Sequence, residues 1–157
     1  MRAVTAAAII LAASAVPPSD ASAQSPRDEV IAAITQVFDG MRAANPAMVS
    51  AVFAPDARFA VIRTRNMPPT IGAQDVSSWI GAIGESNGDW DEQIYDMEVH
   101  VDGSMASAWA PYTFYLSGEI SHCGINSIEL LKDAEGWKVT QISDTRRTEN
   151  CPDPRGG

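Results

Sequence analysis

The first half of the chain has apolar residues at helical spacing. Ser25-Pro26-Arg27-Asp28 combines a helix-capping serine, a proline at the first helical position and an acid three residues after the cap. The apolar residues that follow at one-turn intervals are Val30, Ile34, Val37, Phe38 and Met41. Because these positions fall on one side of a helix, the pattern predicts an amphipathic helix with a buried apolar face.

Two shorter helices and a strand are predicted before residue 84. Asn45-Pro46 is a second cap, and the short helix that it opens ends at Ala54-Pro55-Asp56-Ala57. Residues 58–63 alternate between apolar and other side chains, which predicts a strand. The remaining predicted elements are a proline-rich loop at residues 67–70 and a third helix at residues 74–83.

From residue 90 onward the apolar period changes to two, which is typical of strands. Residues 92–101 predict one strand, and Asp102-Gly103 is a hairpin signal. Residues 105–116 predict a long strand rich in aromatic side chains. The last hairpin joins predicted strands at residues 122–132 and 137–146. Three helices followed by an antiparallel sheet predict an α+β domain in which the helices cover one face of the sheet.

This order of elements resembles the nuclear transport factor 2-like (NTF2-like) superfamily, which includes ketosteroid isomerase, scytalone dehydratase and many SnoaL-like proteins. The resemblance covers nearly the whole chain after residue 23 and includes Phe53-Ala54-Pro55-Asp56-Ala57 and Gly136-Trp137-Lys138-Val139. It implies a cystatin-like cone of three N-terminal helices packed on a curved antiparallel sheet. The motifs His122-Cys123-Gly124, Asp144-Thr145-Arg146-Arg147 and Cys151 are also similar to those of an exported bacterial subgroup. A cystatin-like inhibitor is the structural alternative, but the Gln-x-Val-x-Gly hairpin is absent from the sequence.

The N-terminal segment predicts export. Arg2 precedes an apolar run at residues 3–16, and Ala21-Ser22-Ala23 has the small-x-small pattern that signal peptidase cleaves. We therefore expect a signal peptide at residues 1–23, a single domain at residues 24–157 and a periplasmic or secreted location. The run is too short to cross a bilayer as a helix, and no lipid-anchoring cysteine follows it, so no membrane anchor is expected. The formal net charge of −9 also disfavours nucleic acid as a partner, because an acidic surface repels phosphate.

Cys123 and Cys151 are the two cysteines of the chain, and an exported domain allows them to form a disulfide. Closing a loop of about 29 residues would stabilise the fold by roughly 3 to 4 kcal/mol in the chain-entropy model. Zinc ligation is the alternative use of two thiols. It is disfavoured because the sequence has no Cys-x-x-Cys spacing and two scattered histidines, and no metal or cofactor is expected.

The register of the last hairpin decides which polar side chains meet. If Gly136 takes the left-handed position of a three-residue turn, residues whose numbers sum to about 270 face each other, so that Asn126 lies opposite Asp144. The face so formed carries His122, Asn126, Ile128, Leu130, Ile142, Asp144 and Arg146. A slip of one residue would move Asp144 and Arg146 to the other face, away from His122.

A histidine and a carboxylate in an apolar cavity suit proton transfer, because burial and neighbouring charge shift their pKa values. His122 is the candidate base, and Asp144 would orient it or hold Arg146. Asn126 or Tyr112 would donate a hydrogen bond to a developing oxyanion. Each residue also has a structural alternative: an Asp144–Arg146 ion pair that fixes the sheet, a hydrogen bond from His122 to a backbone carbonyl, and, for Tyr112 and Trp109, a place in the core or the cavity wall.

Three functions stay open on the sequence. The first is an exported pocket protein that binds a small, largely apolar or aromatic molecule, with Asn126, Arg146, Tyr112 and Trp109 as ligand-binding candidates. The second is a cofactor-independent isomerase, lyase or dehydratase that uses His122 and Asp144. The third is an interaction module that forms a homodimer through the open face of the sheet. Nucleotide enzymes, serine hydrolases and zinc proteases are disfavoured because their glycine-rich, Gly-x-Ser-x-Gly and His-Glu-x-x-His motifs are missing from the sequence.

Overall fold

The structure is a computed structural model that describes residues 24–63 and 68–156. In these segments the chain forms the helices α1 (Pro26–Arg42), α2 (Pro46–Ser50) and α3 (Val76–Glu85). The strands are β1 (Phe53–Arg63), β2 (Thr70–Gln74), β3 (Trp90–Ile94), β4 (Glu98–Asp102), β5 (Met105–Leu116), β6 (Glu119–Asp133) and β7 (Gly136–Arg146). The expected signal peptide, residues 1–23, lies outside the described residues, so export stays a prediction. None of the described helices is both long and apolar enough to cross a membrane.

The first two helices begin at the predicted caps. The Ser25 side chain accepts a hydrogen bond from the backbone N–H of Asp28 at 3.2 Å, and Asn45 Oδ1 accepts one from the N–H of Met48 at 3.1 Å. The whole predicted apolar stripe of α1 is buried: Val30, Ile34, Val37, Phe38 and Met41. Helix α1 therefore packs its apolar face against the sheet, as predicted.

The third helix starts later than predicted, because a strand precedes it. Residues 70–74 form β2, which pairs antiparallel with β1 from Phe59–Gln74 to Arg63–Thr70. Helix α3 then begins after Asp75, whose Oδ1 accepts a hydrogen bond from the N–H of Ser78 at 2.6 Å. Asp75 is a better cap than the glutamine at which the predicted helix starts, so the assignment of residue 74 to a helix is wrong.

The predicted single strand at residues 92–101 is two strands. Residues 95–97 interrupt it, and Asp96 takes a positive φ of 47°. The interruption changes which residues point inward: Glu92 on β3 and Val99 on β4 both face the helices. The prediction of one continuous strand at residues 92–101 is therefore wrong.

The sheet has the strand order β2-β1-β7-β6-β5-β3, and β4 pairs with the far end of β5. Five pairings are antiparallel, as predicted, but β1 and β7 run parallel. Helices α1 and α3 lie on the concave face, where their apolar side chains join those of the strands in one core. The α+β prediction of helices on a curved, mostly antiparallel sheet is confirmed.

A disulfide ties the C-terminal segment to the middle of the sheet. Cys123 on β6 is bonded to Cys151, with 5.5 Å between their Cα atoms, which confirms the predicted pair. Cys123 also forms an antiparallel bridge with Arg147, so the chain leaves β7 directly beside β6. The last residues are thereby held against the convex face.

This C-terminal segment covers part of β5 on the convex face. The Thr113 hydroxyl donates to the carbonyl oxygen of Pro152 at 2.8 Å, and the Tyr115 hydroxyl donates to Asp153. The guanidinium of Arg155 lies 3.2 Å from the centre of the Tyr115 ring, a cation–π contact. Both β5 side chains are fully buried as a result.

Candidate functional site

The helices and the concave face of the sheet enclose a cavity of about 240 Å³. Its apolar lining consists of Phe38, Met41, Phe59, Trp79, Trp90, Phe114, Leu116 and Ile142. Its polar lining consists of Gln74, Glu92, His122, Asn126, Asp144 and Arg146. A concave, mostly apolar space with a few convergent polar groups is the usual form of a small-molecule site.

The predicted register between β6 and β7 is confirmed at the site. Asn126 pairs with Asp144, and Ile128 pairs with Ile142. Because directly opposite residues share a face of the sheet, Asn126 and Asp144 both enter the cavity. His122 also lines it, so the predicted polar group does lie on one side of the sheet.

A β-bulge, rather than the turn, sets this register. Gly136 has the predicted positive φ, 119°, but only two residues lie between the paired Asp133 and Gly136. The residue pairs next to the turn are therefore shifted by one residue relative to the pairs in the site. Thr140 is the extra residue on β7 that produces this one-residue shift. Its hydroxyl donates to the carbonyl oxygen of Glu129 at 3.1 Å. Val139 before the bulge and Ile142 after it are therefore both buried.

Glu92 is a buried acid in the lining of the cavity. It is 8% exposed, and its Oε1 accepts a hydrogen bond from Asn126 Nδ2 at 2.7 Å. Burial raises the pKa of Glu92 to about 8, and the nearby Asp144 adds to the rise, while the Asn126 hydrogen bond and Arg146 oppose it. Glu92 is therefore mostly protonated at neutral pH and can donate a proton into the cavity.

Asp144 has a different environment. It is 4% exposed, and its Oδ2 accepts a hydrogen bond from Arg146 Nε at 2.8 Å. Its Oδ1 is buried and has no hydrogen-bond partner among the described residues. Burial raises the pKa of Asp144, and the guanidinium groups of Arg146 and Arg63 oppose that rise. The unpaired oxygen is an acceptor that a ligand donor can satisfy.

His122 lines the same cavity and packs against two aromatic rings. Its ring lies 4.9 Å from that of Phe114 and meets the ring of Tyr112 edge-on at 5.8 Å, measured between ring centroids. Its Nδ1 lies 3.2 Å from the Ser121 hydroxyl. His122 and Asp144 thus open into the same cavity, and their catalytic role stays a prediction.

Solved structures of low sequence identity share this architecture. An NTF2-like protein with a cystatin-like fold from Novosphingobium aromaticivorans has a TM-score of 0.62 at 14% identity, over 79% of this chain and 83% of its own. An NTF2-like protein of unknown function from Shewanella baltica has a TM-score of 0.60 at 14% identity, over 78% of this chain and 94% of its own. The chain has the NTF2-like fold.

The other comparisons are less informative. A provisionally assigned dehydratase of the NTF2-like family from Streptomyces avermitilis has a TM-score of 0.58 at 11% identity, over 78% of this chain and 96% of its own. No family model matches the sequence, and no curated protein matches it. At these identities the likeness concerns the NTF2-like fold alone.

Two predicted ligand-binding residues lie outside the cavity lining of this NTF2-like cone. The Tyr112 hydroxyl crosses Gly124 and donates to the carbonyl oxygen of Thr145 at 3.0 Å. Trp109 is 52% exposed and pairs with Ser127 on β6. Tyr112 lies on the same face of the sheet as the cavity-lining Phe114 and contacts the His122 ring. Trp109 instead contributes to the open surface of the sheet, where the expected homodimer interface stays a prediction.

Glu92 is the site residue that the sequence pattern concealed. In a continuous strand at residues 92–101 it would alternate with Tyr95 and point to solvent. The break at Asp96 turns the Glu92 side chain toward the cavity instead, and the local signal for the break is an aspartate, which tolerates a positive φ better than most residues. The described part of the NTF2-like fold contains no group of three potential metal-ligating side chains.

Proposed function

We propose that this protein binds a small, largely aromatic or apolar molecule in the cavity between the helices and the sheet. The observation that supports the proposal is the composition of the lining, which combines aromatic rings with the buried hydrogen-bonding groups of Glu92, Asn126 and Asp144. Such a lining favours a ligand with a flat apolar body and a small number of polar groups.

The aromatic side chains that line the cavity pack against one another. Phe59 and Trp79 lie 5.3 Å apart between ring centroids, and Trp90 meets Phe114 edge-on at 6.1 Å. Side chains that are already fixed lose little conformational freedom when a ligand enters, so a planar molecule would bind without a large ordering cost. The unpaired oxygen of Asp144 favours a molecule that also carries a hydrogen-bond donor.

Narrowing the cavity is expected to weaken binding. Leu116 lines the cavity and is 47% exposed, so Leu116→Trp adds bulk at the entrance without crowding the core. The probe is 2-naphthamide, a neutral aromatic with an N–H donor, titrated by calorimetry. We expect its dissociation constant to rise at least tenfold, which corresponds to about 1.4 kcal/mol.

Leu131→Trp is the matched control for this experiment. Leu131 is 51% exposed on β6 and does not line the cavity, so the same substitution there is expected to leave the affinity for 2-naphthamide unchanged. Equal affinities in the two variants would contradict the proposal.

A cofactor-independent proton-transfer enzyme is the second candidate function. Two buried carboxyl groups at one end of the cavity support it: Glu92, whose pKa of about 8 keeps it protonated, and Asp144, beside Arg146 and with one oxygen unpaired. Groups with such different environments can serve as an acid and a base at the same pH. His122 is the second candidate base, and the class of reaction would be an isomerisation, elimination or dehydration.

The enzyme candidate predicts base catalysis on a model substrate. The ring of 5-nitrobenzisoxazole opens when a base removes its carbon-bound proton, and the product absorbs visible light. We expect wild-type protein to accelerate this opening by about 10²-fold or more over the same concentration of acetate. Asp144→Asn should abolish the acceleration, whereas Glu98→Gln on exposed β4 should retain it. Equal rates for these two variants would exclude Asp144 as the base.

A further inference from the structure

A second recess, of about 320 Å³, adjoins the cavity. It is lined by Arg63, Ser121, His122, Arg146, Arg147 and Thr148. His122 and Arg146 line both spaces, so the recess and the cavity share a wall. A ligand in the cavity therefore meets two side chains, His122 and Arg146, that also line the recess.

The recess concentrates positive charge on an acidic chain. Three of its six lining side chains, Arg63, Arg146 and Arg147, are guanidinium groups, which we call the arginine cluster, and none of its described lining residues is an acid. The chain as a whole carries a formal charge of −9. Arg146 is already paired with Asp144, and an anion in the recess would further reduce the repulsion between the guanidinium groups.

The strands fix the positions of the arginine cluster. Arg63 on β1 and Arg146 on β7 are direct partners in the parallel pairing. Gly72 on β2 leaves room for Arg63, because a Cβ at that position would lie 2.9 Å from the Arg63 Nη1 atom. The Nε of Arg146 donates to Asp144, which holds this guanidinium at the boundary between the two spaces. A carboxylate near Arg63 and Arg146 could accept charge-assisted hydrogen bonds from both side chains.

We infer that the ligand of this protein is a small aromatic carboxylic acid, with its ring in the cavity and its carboxylate held by the arginine cluster. The hydroxyl groups of Ser121 and Thr148 are further donors in the recess. A monoanion fits better than a phosphate dianion, because the carboxylate of Asp144 at the shared wall would repel a second negative charge. This inference rests on the proposed binding function and adds the chemical class of the ligand.

The experiment compares two probes of nearly equal size, 2-naphthoate and 2-naphthamide, titrated calorimetrically at low salt. We expect the wild-type protein to bind 2-naphthoate at least tenfold more tightly than 2-naphthamide. Arg63→Gln and Arg147→Gln should each weaken 2-naphthoate about fivefold or more and leave 2-naphthamide unchanged. Added sodium chloride should weaken the charged probe alone, because salt screens exposed guanidinium groups.

Arg58→Gln is the matched control, since it removes the same charge from the same strand. Arg58 is exposed and lines neither the cavity nor the recess, so both affinities should stay at their wild-type values. If 2-naphthamide binds but 2-naphthoate is no tighter, or if Arg58→Gln weakens 2-naphthoate as much as Arg63→Gln does, the inference is overturned and the proposed binding function stands. If neither probe binds to the folded protein, both fail.

Discussion

Gly124→Ala is expected to destabilise the fold by about 4 kcal/mol or more, beyond the usual range for an added methyl group in a core. A Cβ at this position would lie 1.8 Å from the carbonyl oxygen of Thr145 on the neighbouring strand, and a backbone atom cannot move aside as a side chain can. That oxygen also accepts the hydrogen bond from Tyr112, so separating the strands would break a buried interaction too. Urea unfolding followed by circular dichroism measures the loss.

Gly81→Ala provides the comparison. Gly81 is exposed within α3, and a Cβ there would meet no atom within 4 Å, so the same substitution should raise the free energy of unfolding by up to about 1 kcal/mol. If Gly124→Ala stayed within about 1 kcal/mol of the wild type, β6 and β7 could not approach each other as described.

Glu92→Gln is expected to stabilise the protein at alkaline pH, by roughly 3 to 5 kcal/mol at pH 8 and above, and to change little below pH 4. The pKa of Glu92 is raised from 4.5 to about 8 in the folded state. Between these values the unfolded chain releases the proton while the folded protein keeps it, so the free energy of unfolding falls as pH rises. A glutamine cannot ionise, and its amide oxygen can still accept the hydrogen bond from Asn126.

The measurement is urea unfolding of the wild type and the variant at several pH values from 4 to 9. The two stability curves should meet at acid pH and separate steadily toward pH 8. Glu98→Gln, on the exposed side of β4, should follow the wild-type curve throughout. Parallel curves for the wild type and Glu92→Gln would show that this carboxyl group ionises at its ordinary pH.

Local chemistry made much of the fold predictable. The caps at Ser25 and Asn45 act over three residues, and the stripe of α1 follows from helical spacing alone. The pairing of Asn126 with Asp144 was also accessible, since the isoleucines beside them align at the same register. The bulge at Thr140, which the structure needs for that pairing, carries no glycine or other distinctive residue, and only packing on both sides of it reveals why it forms.

The missing parts of the site depend on long-range pairing. Arg63 meets Arg146 because β1 runs parallel to β7, and these strands are separated by most of the domain. No pattern within either strand indicates that partner, so the arginine cluster could not be assembled from the sequence. Glu92 was hidden for a local reason instead, since the break at Asp96 has no proline or glycine to announce it.

The contact between the C-terminal segment and β5 restricts how the protein can be produced. Shortening the chain at the end of β7 would remove the cover from Thr113 and Tyr115 and leave the buried sulfur of Cys123 as a lone thiol. Synthesis in a reducing compartment would free the same segment without deleting it. The last ten or so residues therefore belong to the folding unit, and material for the binding assays should be made under oxidising conditions with them in place.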